Sequence, residues 1–178
     1  MPEIRSDSDR YTTKQDSDAW AADAARRGKA GTQVLLEVTS GHMTPDIQRA
    51  LGLDDAQPVV VRRRLILADD QPVELADSYY PASLAGGTPL AQKKKIRGGA
   101  VAVLEEIGHA IDGYTQTVTA RHPQGTETEQ LEVPPDEPLI VLSRVNRDAA
   151  GIPVEYAVNV MVAARTAPLV FETRGSSQ

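Results

Sequence analysis

The sequence predicts an α+β fold, a single antiparallel β-sheet with flanking helices, and three observations carry the prediction. Two long β-branched stretches, PVVVRRRLILADDQPVELADSYYP (58–81) and PLIVLSRVNRDAAGIPVEYAVNVMVAAR (138–165), each double back through a short polar turn, as hairpins do. The elements run helix, strand, helix, hairpin, and then helix, strand, helix, hairpin again. The helical segments are too few and too irregularly placed for a parallel sheet, so the strands pair locally, and the helices are expected on one face.

Residues 1–17 hold almost no large apolar side chains and read as a flexible arm before a domain spanning 18–172, with a frayed end over 173–178. Ser17 or Asp18 is placed to cap an Ala-rich helix from Ala19 to Arg27, ended by Gly28. Thr32–Ser40 is β-branched and apolar, a strand. Thr44-Pro45 starts a helix with Thr at the cap and Pro in the first turn, and Gly52 ends it. The first hairpin turns near Asp69-Asp70-Gln71, and Pro81 with Gly86-Gly87 breaks its second arm. Ala100–Ile107 reads as an amphipathic helix capped by Gly108, and Ile111–Arg121 alternates like a half-exposed strand. Thr126 and Glu129 match a capping box opening a short helix to Leu131, and the last hairpin turns between Asp148 and Gly151.

Bulk composition narrows the function. The chain has 178 residues, a formal net charge of −6, 4% aromatic residues and no cysteine. An acidic chain poor in aromatics neither neutralises phosphates nor stacks on bases, so no direct nucleic-acid partner is expected through this chain. Absent cysteine rules out disulfides and thiolate metal sites and fits a reducing, cytoplasmic location. The polar start lacks the apolar stretch of a secretion signal, and no membrane span or metal is expected.

Period-two geometry sorts the candidate side chains. Arg62 and Arg64 point one way and Arg63 the other; Glu74, Ala76, Ser78 and Tyr80 share a face. On the last strand Glu155, Ala157, Asn159, Met161, Ala163 and Arg165 form one row, while Val154, Tyr156, Val158, Val160 and Val162 form a core row. Arg62 and Arg64 are either a solvated face paired with carboxylates or an anion clamp, since guanidinium forks match phosphate and carboxylate. Lys93–Lys95 read as a solvated loop, with a lid over an anion as the alternative. Hydrolase, nucleotide-binding and zinc-protease motifs are missing, His42, His109 and His122 are scattered, and no catalytic set or cofactor is expected.

LGLDDAQPVVVRRRLILADDQPVELADSYYP, then GGAVAVLEEIGH, then TARHPQGTETEQLEVPPDEPLIVLSRVNRDAAGIPVEY resemble, in order and spacing, the UTRA domain of GntR-type (HutC subfamily) bacterial transcription regulators, over about Ala19–Phe171. The resemblance implies a chorismate lyase-like sheet with a pocket for a small effector, and a homodimer. It also implies ligand-binding roles for Arg62 and Arg64 together with Ser78, which would hold an anion, and for Glu74 and Glu155, which would hold the polar remainder. Met161 stands where an aromatic is expected, and three lysines over Gln92–Ile96 replace a more acidic, glycine-rich loop. The winged helix-turn-helix of such regulators has no counterpart in this sequence. The function expected is effector sensing, with a small anionic metabolite as partner. Two alternatives stay open: a lyase or isomerase on the same fold, and a dimerisation partner that antagonises a full-length regulator.

Overall fold

The computed structural model describes residues 4–6 and 19–173. Along the chain these form β1 (Ile4–Ser6), α1 (Ala19–Arg26), β2 (Gly31–Gly41), α2 (Pro45–Ala50), β3 (Val59–Ala68), β4 (Gln71–Pro81) and α3 (Ala82–Ala85). A 3₁₀ turn over Pro89–Ala91 follows, then α4 (Gly99–Glu106), β5 (Ile111–Arg121), α5 (Glu127–Leu131), β6 (Leu139–Asp148), β7 (Pro153–Val162) and β8 (Phe171–Thr173). Six strands make one antiparallel sheet in the order β2-β3-β4-β7-β6-β5, and β1 pairs with β8 in a separate ribbon.

In the ribbon Ile4–Ser6 pairs with Phe171–Thr173 as a backbone ladder, which needs no large apolar side chains. The expected cap at Ser17 or Asp18 lies outside the described residues. Thr44 has extended geometry but makes no side-chain cap bond. Thr126 does not cap either; at φ −87°, ψ 2° it lacks the extended shape that aims a hydroxyl at the first N–H groups. Glu127 instead ties down the loop before the helix, accepting from the Gln124 N–H at 2.8 Å and from both Arg121 Nη atoms at 2.6 and 2.8 Å.

The first hairpin turns through Asp69 and Asp70 at φ 50° and 61°, the left-handed pair that matches strand twist in a two-residue turn. The second turn closes on Asp148, whose Oδ1 accepts from the Ala150 and Ile152 N–H groups at 3.0 Å each.

Helices lie on both faces, not one. On the back face α2 buries Leu51 and Ile47 against Val59, Val61 and Tyr79, and the segment following α5 joins Leu131 in covering Leu139, Val160 and Val162. At six and five residues these helices cannot hold themselves, and this burial stabilises them. On the front face Trp20 of α1 packs on Ile66, Ala68, Val73 and Ala76, while α4 and the 3₁₀ turn pack Val103, Leu104 and Leu90 on Val60, Tyr80 and Val154. Both faces need cover because both strand rows of the central hairpins carry apolar residues at their ends.

Val73 and Val154 depart from simple alternation. Each lies at a register shift, Ile66/Leu67 opposite β4 and Asn146/Arg147 opposite β7, and the extra residue swings the valine to the front face beside the following glutamate. Both bulges fall in the same tripeptide, Pro72-Val73-Glu74 and Pro153-Val154-Glu155. The repetition runs deeper. The unit α1-β2-α2-β3-β4 recurs as α4-β5-α5-β6-β7, Gly31 corresponding to Ile111 and Val59 to Leu139, with the second hairpin turn one residue longer so that Glu74 corresponds to Glu155. The pairs Arg62–Ser78, Arg64–Ala76 and Ile66–Glu74 in the first hairpin correspond to Leu142–Asn159, Arg144–Ala157 and Asn146–Glu155 in the second. The sheet therefore has a local twofold axis between β4 and β7, at the Asp77–Val158 register pair.

Candidate ligand-binding site

The strand registers put Arg62, Arg64, Glu74, Ser78 and Glu155 on the front face. Arg63 points back, to Glu37 at 3.3 Å and Asp77 at 3.4 Å, and stays exposed. Between the apolar covers at the two ends, the front face is a polar floor that also carries Asn159, Arg144, Asn146 and Gln116.

At one end of this floor lies a cavity of about 110 Å³. Gln33 and Leu35 of β2, Arg62 and Arg64 of β3, Ser78 and Tyr80 of β4, the Lys95-Ile96 pair, and Gly99 and Ala100 at the start of α4 line it. Three of these side chains are cations and none is a carboxylate. Gly98 and Gly99, at φ 77° and 73°, turn the chain sharply into α4 and bring the positive end of that helix to the cavity.

The two arginines differ in their surroundings. Arg62 is 5% exposed, and its Nη1 donates to the carbonyls of Leu90 at 2.9 Å and Gln92 at 2.8 Å, with Pro89 at 3.4 Å; its Nη2 donates to Lys94 O at 2.9 Å. Burial lowers its pKa from the ordinary guanidinium value. Arg64 is half-buried; its Nη2 donates to Ser78 Oγ at 3.2 Å, and its buried Nε has no hydrogen-bond partner.

The two glutamates lie outside the cavity wall and are already engaged. Asn159 Nδ2 donates to Glu74 Oε1. Burial pushes the Glu74 carboxyl up to about 7, against the opposing pull of Arg64, the Asn159 hydrogen bond and Arg144. Glu155 is buried and accepts from Tyr80 Oη at 2.6 Å and Asn146 Nδ2 at 2.7 Å. Burial, and after it the Glu155 charge, raises the Tyr80 pKa well above the ordinary phenol value. The structure thus brings Arg62, Arg64 and Ser78 together and sets Glu74 and Glu155 on the same floor in separate hydrogen-bond pairs.

Arg144 and Asn146 join this floor without having been singled out by sequence. Arg144 Nε donates to Gln116 at 3.1 Å and its guanidinium lies 5.2 Å from the Tyr114 ring centre. The repeated hairpin was the available signal, because aligning Val59–Ala68 with Leu139–Asp148, and allowing one more residue in the second turn, places Arg144 on Arg64. Of the histidines, His109 lies with its Nδ1 2.8 Å from Asp148 Oδ2, and His42 with its Nε2 3.0 Å from the Ala56 carbonyl. Among the described residues no cluster of His, Asp and Glu is arranged to hold a metal ion, and no helix is long and apolar enough to cross a membrane.

Comparison with known proteins places this geometry. The family model described as the UTRA domain matches residues 26–167. The chain belongs to the UTRA domain family. This is the effector-binding type of domain of GntR-family transcription regulators. An uncharacterised HTH-type transcriptional regulator of Streptomyces coelicolor is 31% identical over 154 residues, covering 85% of this chain and 56% of the relative. A second such regulator, from Rhizobium meliloti, is 29% identical over 115 residues, covering 63% of this chain and 46% of the relative. The chain therefore spans about half the length of the curated relatives it matches. The effector domain of PhnF from Mycobacterium smegmatis superposes with a TM-score of 0.73 at 20% identity, covering 83% of this chain and 90% of that chain. A GntR-family regulator from Enterococcus faecalis gives 0.71 at 21% identity, covering 78% and 99%. At these identities the structures confirm the α+β fold with its six-stranded antiparallel sheet.

Proposed function

We propose that this UTRA domain senses a small anionic metabolite, and that the cavity beside Arg64 and Ser78 takes the anionic group. The observation that carries the reading is the buried Arg64 Nε, an N–H of a cation with no partner, in a cavity whose other charged wall groups are Arg62 and Lys95. An unsatisfied buried donor costs roughly 1–3 kcal/mol, which an oxyanion accepting from it would recover. The helix end at Gly99 adds to the same field. A cavity of about 110 Å³ is smaller than the roughly 150 Å³ that admits benzene, so it suits a head group such as phosphate or carboxylate. Glu74 and Glu155 are assigned the polar remainder of the metabolite on the neighbouring floor. The reading includes the cytoplasm as location and a homodimer as working state, both in keeping with the bacterial regulators the chain resembles.

Calorimetric titration with inorganic phosphate, sugar phosphates and small carboxylic acids tests the reading. At least one compound is expected to bind in the micromolar range and to weaken at least tenfold in Arg64→Met. A folded domain that binds none of them, or an Arg64→Met variant that binds as well as wild type, removes the proposal. If sensing is coupled to a regulator's other half, the effector must bind two conformations unequally, since equal affinity shifts nothing.

A further inference from the structure

We infer that Arg62 is a positioning residue: its guanidinium holds the Pro89–Lys95 segment against the sheet so that Lys95 and Ile96 wall the cavity beside Arg64. Order in that segment is thereby coupled to occupancy of the cavity. Only the coupling rests on the anion-binding reading; the anchoring stands on contacts already described.

Arg62 reaches carbonyls 27, 28, 30 and 32 residues further along the chain, all from one guanidinium. Leu90 is fully buried, but Ala91, Gln92, Lys93, Lys94 and Lys95 are exposed and Ile96 half-buried. Over those five residues side-chain burial does not tie the chain down; the Gln92 and Lys94 carbonyls, held by Arg62, do. Both Nη atoms of Arg62 are engaged by the chain's own carbonyls, whereas Arg64 beside it has a buried Nε without a hydrogen-bond partner.

The second half of the molecule supplies an internal comparison. The residue in the place of Arg62 is Leu142, also buried at 4% exposure. The sheet at that position needs volume and not charge. A buried cation there is explained by what it holds, the Pro89–Lys95 segment. Binding of an anion against Lys95 and Arg64 adds contacts to the closed segment alone, so by linkage it must deepen closure, and loosening the segment must weaken binding.

Lys93, Lys94 and Lys95 make the segment its own reporter, because trypsin cuts after lysine only once the backbone lifts away locally. With the full chain, cleavage at 93–95 mapped by mass spectrometry should rise at least tenfold in Arg62→Leu while cooperative melting persists. Arg62→Lys, which keeps the charge but lacks the fork, should fall between it and wild type. Arg63→Met, on the opposite face, should leave the rate unchanged. Saturating inorganic phosphate should slow cleavage of wild type and bind Arg62→Leu at least fivefold more weakly. Wild-type cleavage rates in both Arg62 variants overturn the inference. So does lost phosphate binding in Arg62→Leu with the segment still protected, since Arg62 would then be a direct ligand. Should Arg62→Leu fail to fold, Arg62→Lys and amide exchange over Ala91–Ile96 provide the same reading. If phosphate protects nothing while Arg62→Leu is still cut faster, the anion reading falls and the anchoring stands.

Discussion

Replacing Glu74 with Gln should remove a pH dependence of stability that can be sized in advance. The carboxyl sits near 7 in the folded protein, against an ordinary value of 4.5, chiefly because burial disfavours its charge. Its folded-state pKa is raised, so the native state binds more protons than the unfolded chain between those two values, and stability falls as pH rises through that window. At about 1.36 kcal/mol for each factor of ten, the ionised form is disfavoured by about 3 kcal/mol. Between pH 5 and pH 8 the loss from this one group comes to about 2–3 kcal/mol. Glutamine keeps an oxygen to accept from Asn159 and cannot ionise. Urea denaturation of both proteins at pH 5, 6, 7 and 8 should show wild type losing roughly 2–3 kcal/mol more than Glu74→Gln across the range. Subtracting the two curves cancels every other titrating group, including Asp77, whose pKa burial also raises. Parallel curves would mean that water or the flanking Arg64 and Arg144 solvate Glu74 fully, and the enclosed-carboxyl argument would be wrong.

Further substitutions test other parts of the fold. Tyr80→Phe deletes the donor 2.6 Å from buried Glu155 Oε1 and should cost about 2 kcal/mol in urea denaturation; an unchanged midpoint would show the bond to be dispensable. Asp70→Gly relieves a left-handed residue at φ 61° in the first hairpin turn and should raise Tm by a few degrees, while a lowered Tm would contradict the turn geometry. Gly98→Ala forces a methyl group to 3.0 Å from Ala102 Cβ at φ 77° and should destabilise by at least about 1 kcal/mol, read by thermal melting, with no change arguing against the tight entry to α4.

Much of the fold was legible because hairpins are local. The turn at Asp69-Asp70 and the alternation over Ile111–Arg121 fix their elements from neighbouring residues alone. Arg62, Arg64, Glu74, Ser78 and Glu155 share a face for the same reason. What alternation does not contain is a bulge: the shift that turns Val73 and Val154 to the front is a property of paired strands, visible only when the partner's residues are counted. Helix placement on two faces is likewise decided by which apolar row each helix meets in space. The partners of Arg62 were beyond reach because they are backbone carbonyls of a segment with no side-chain pattern of its own. A strand arginine beside a lysine-rich loop reads as an anion site either way.

The twofold relation between the halves gives one molecule some of the information usually sought from many. Where the two copies have kept the same residues, as in Pro-Val-Glu and in the left-handed glycines 28 and 108, the shared architecture is the economical reason. Where they have parted, Arg62 against Leu142, Ser78 against Asn159, Tyr80 against Met161, the architecture has been held constant and the difference isolates what one end does that the other does not. A graft of the first set onto the second end would ask whether that task can be transplanted within a single chain.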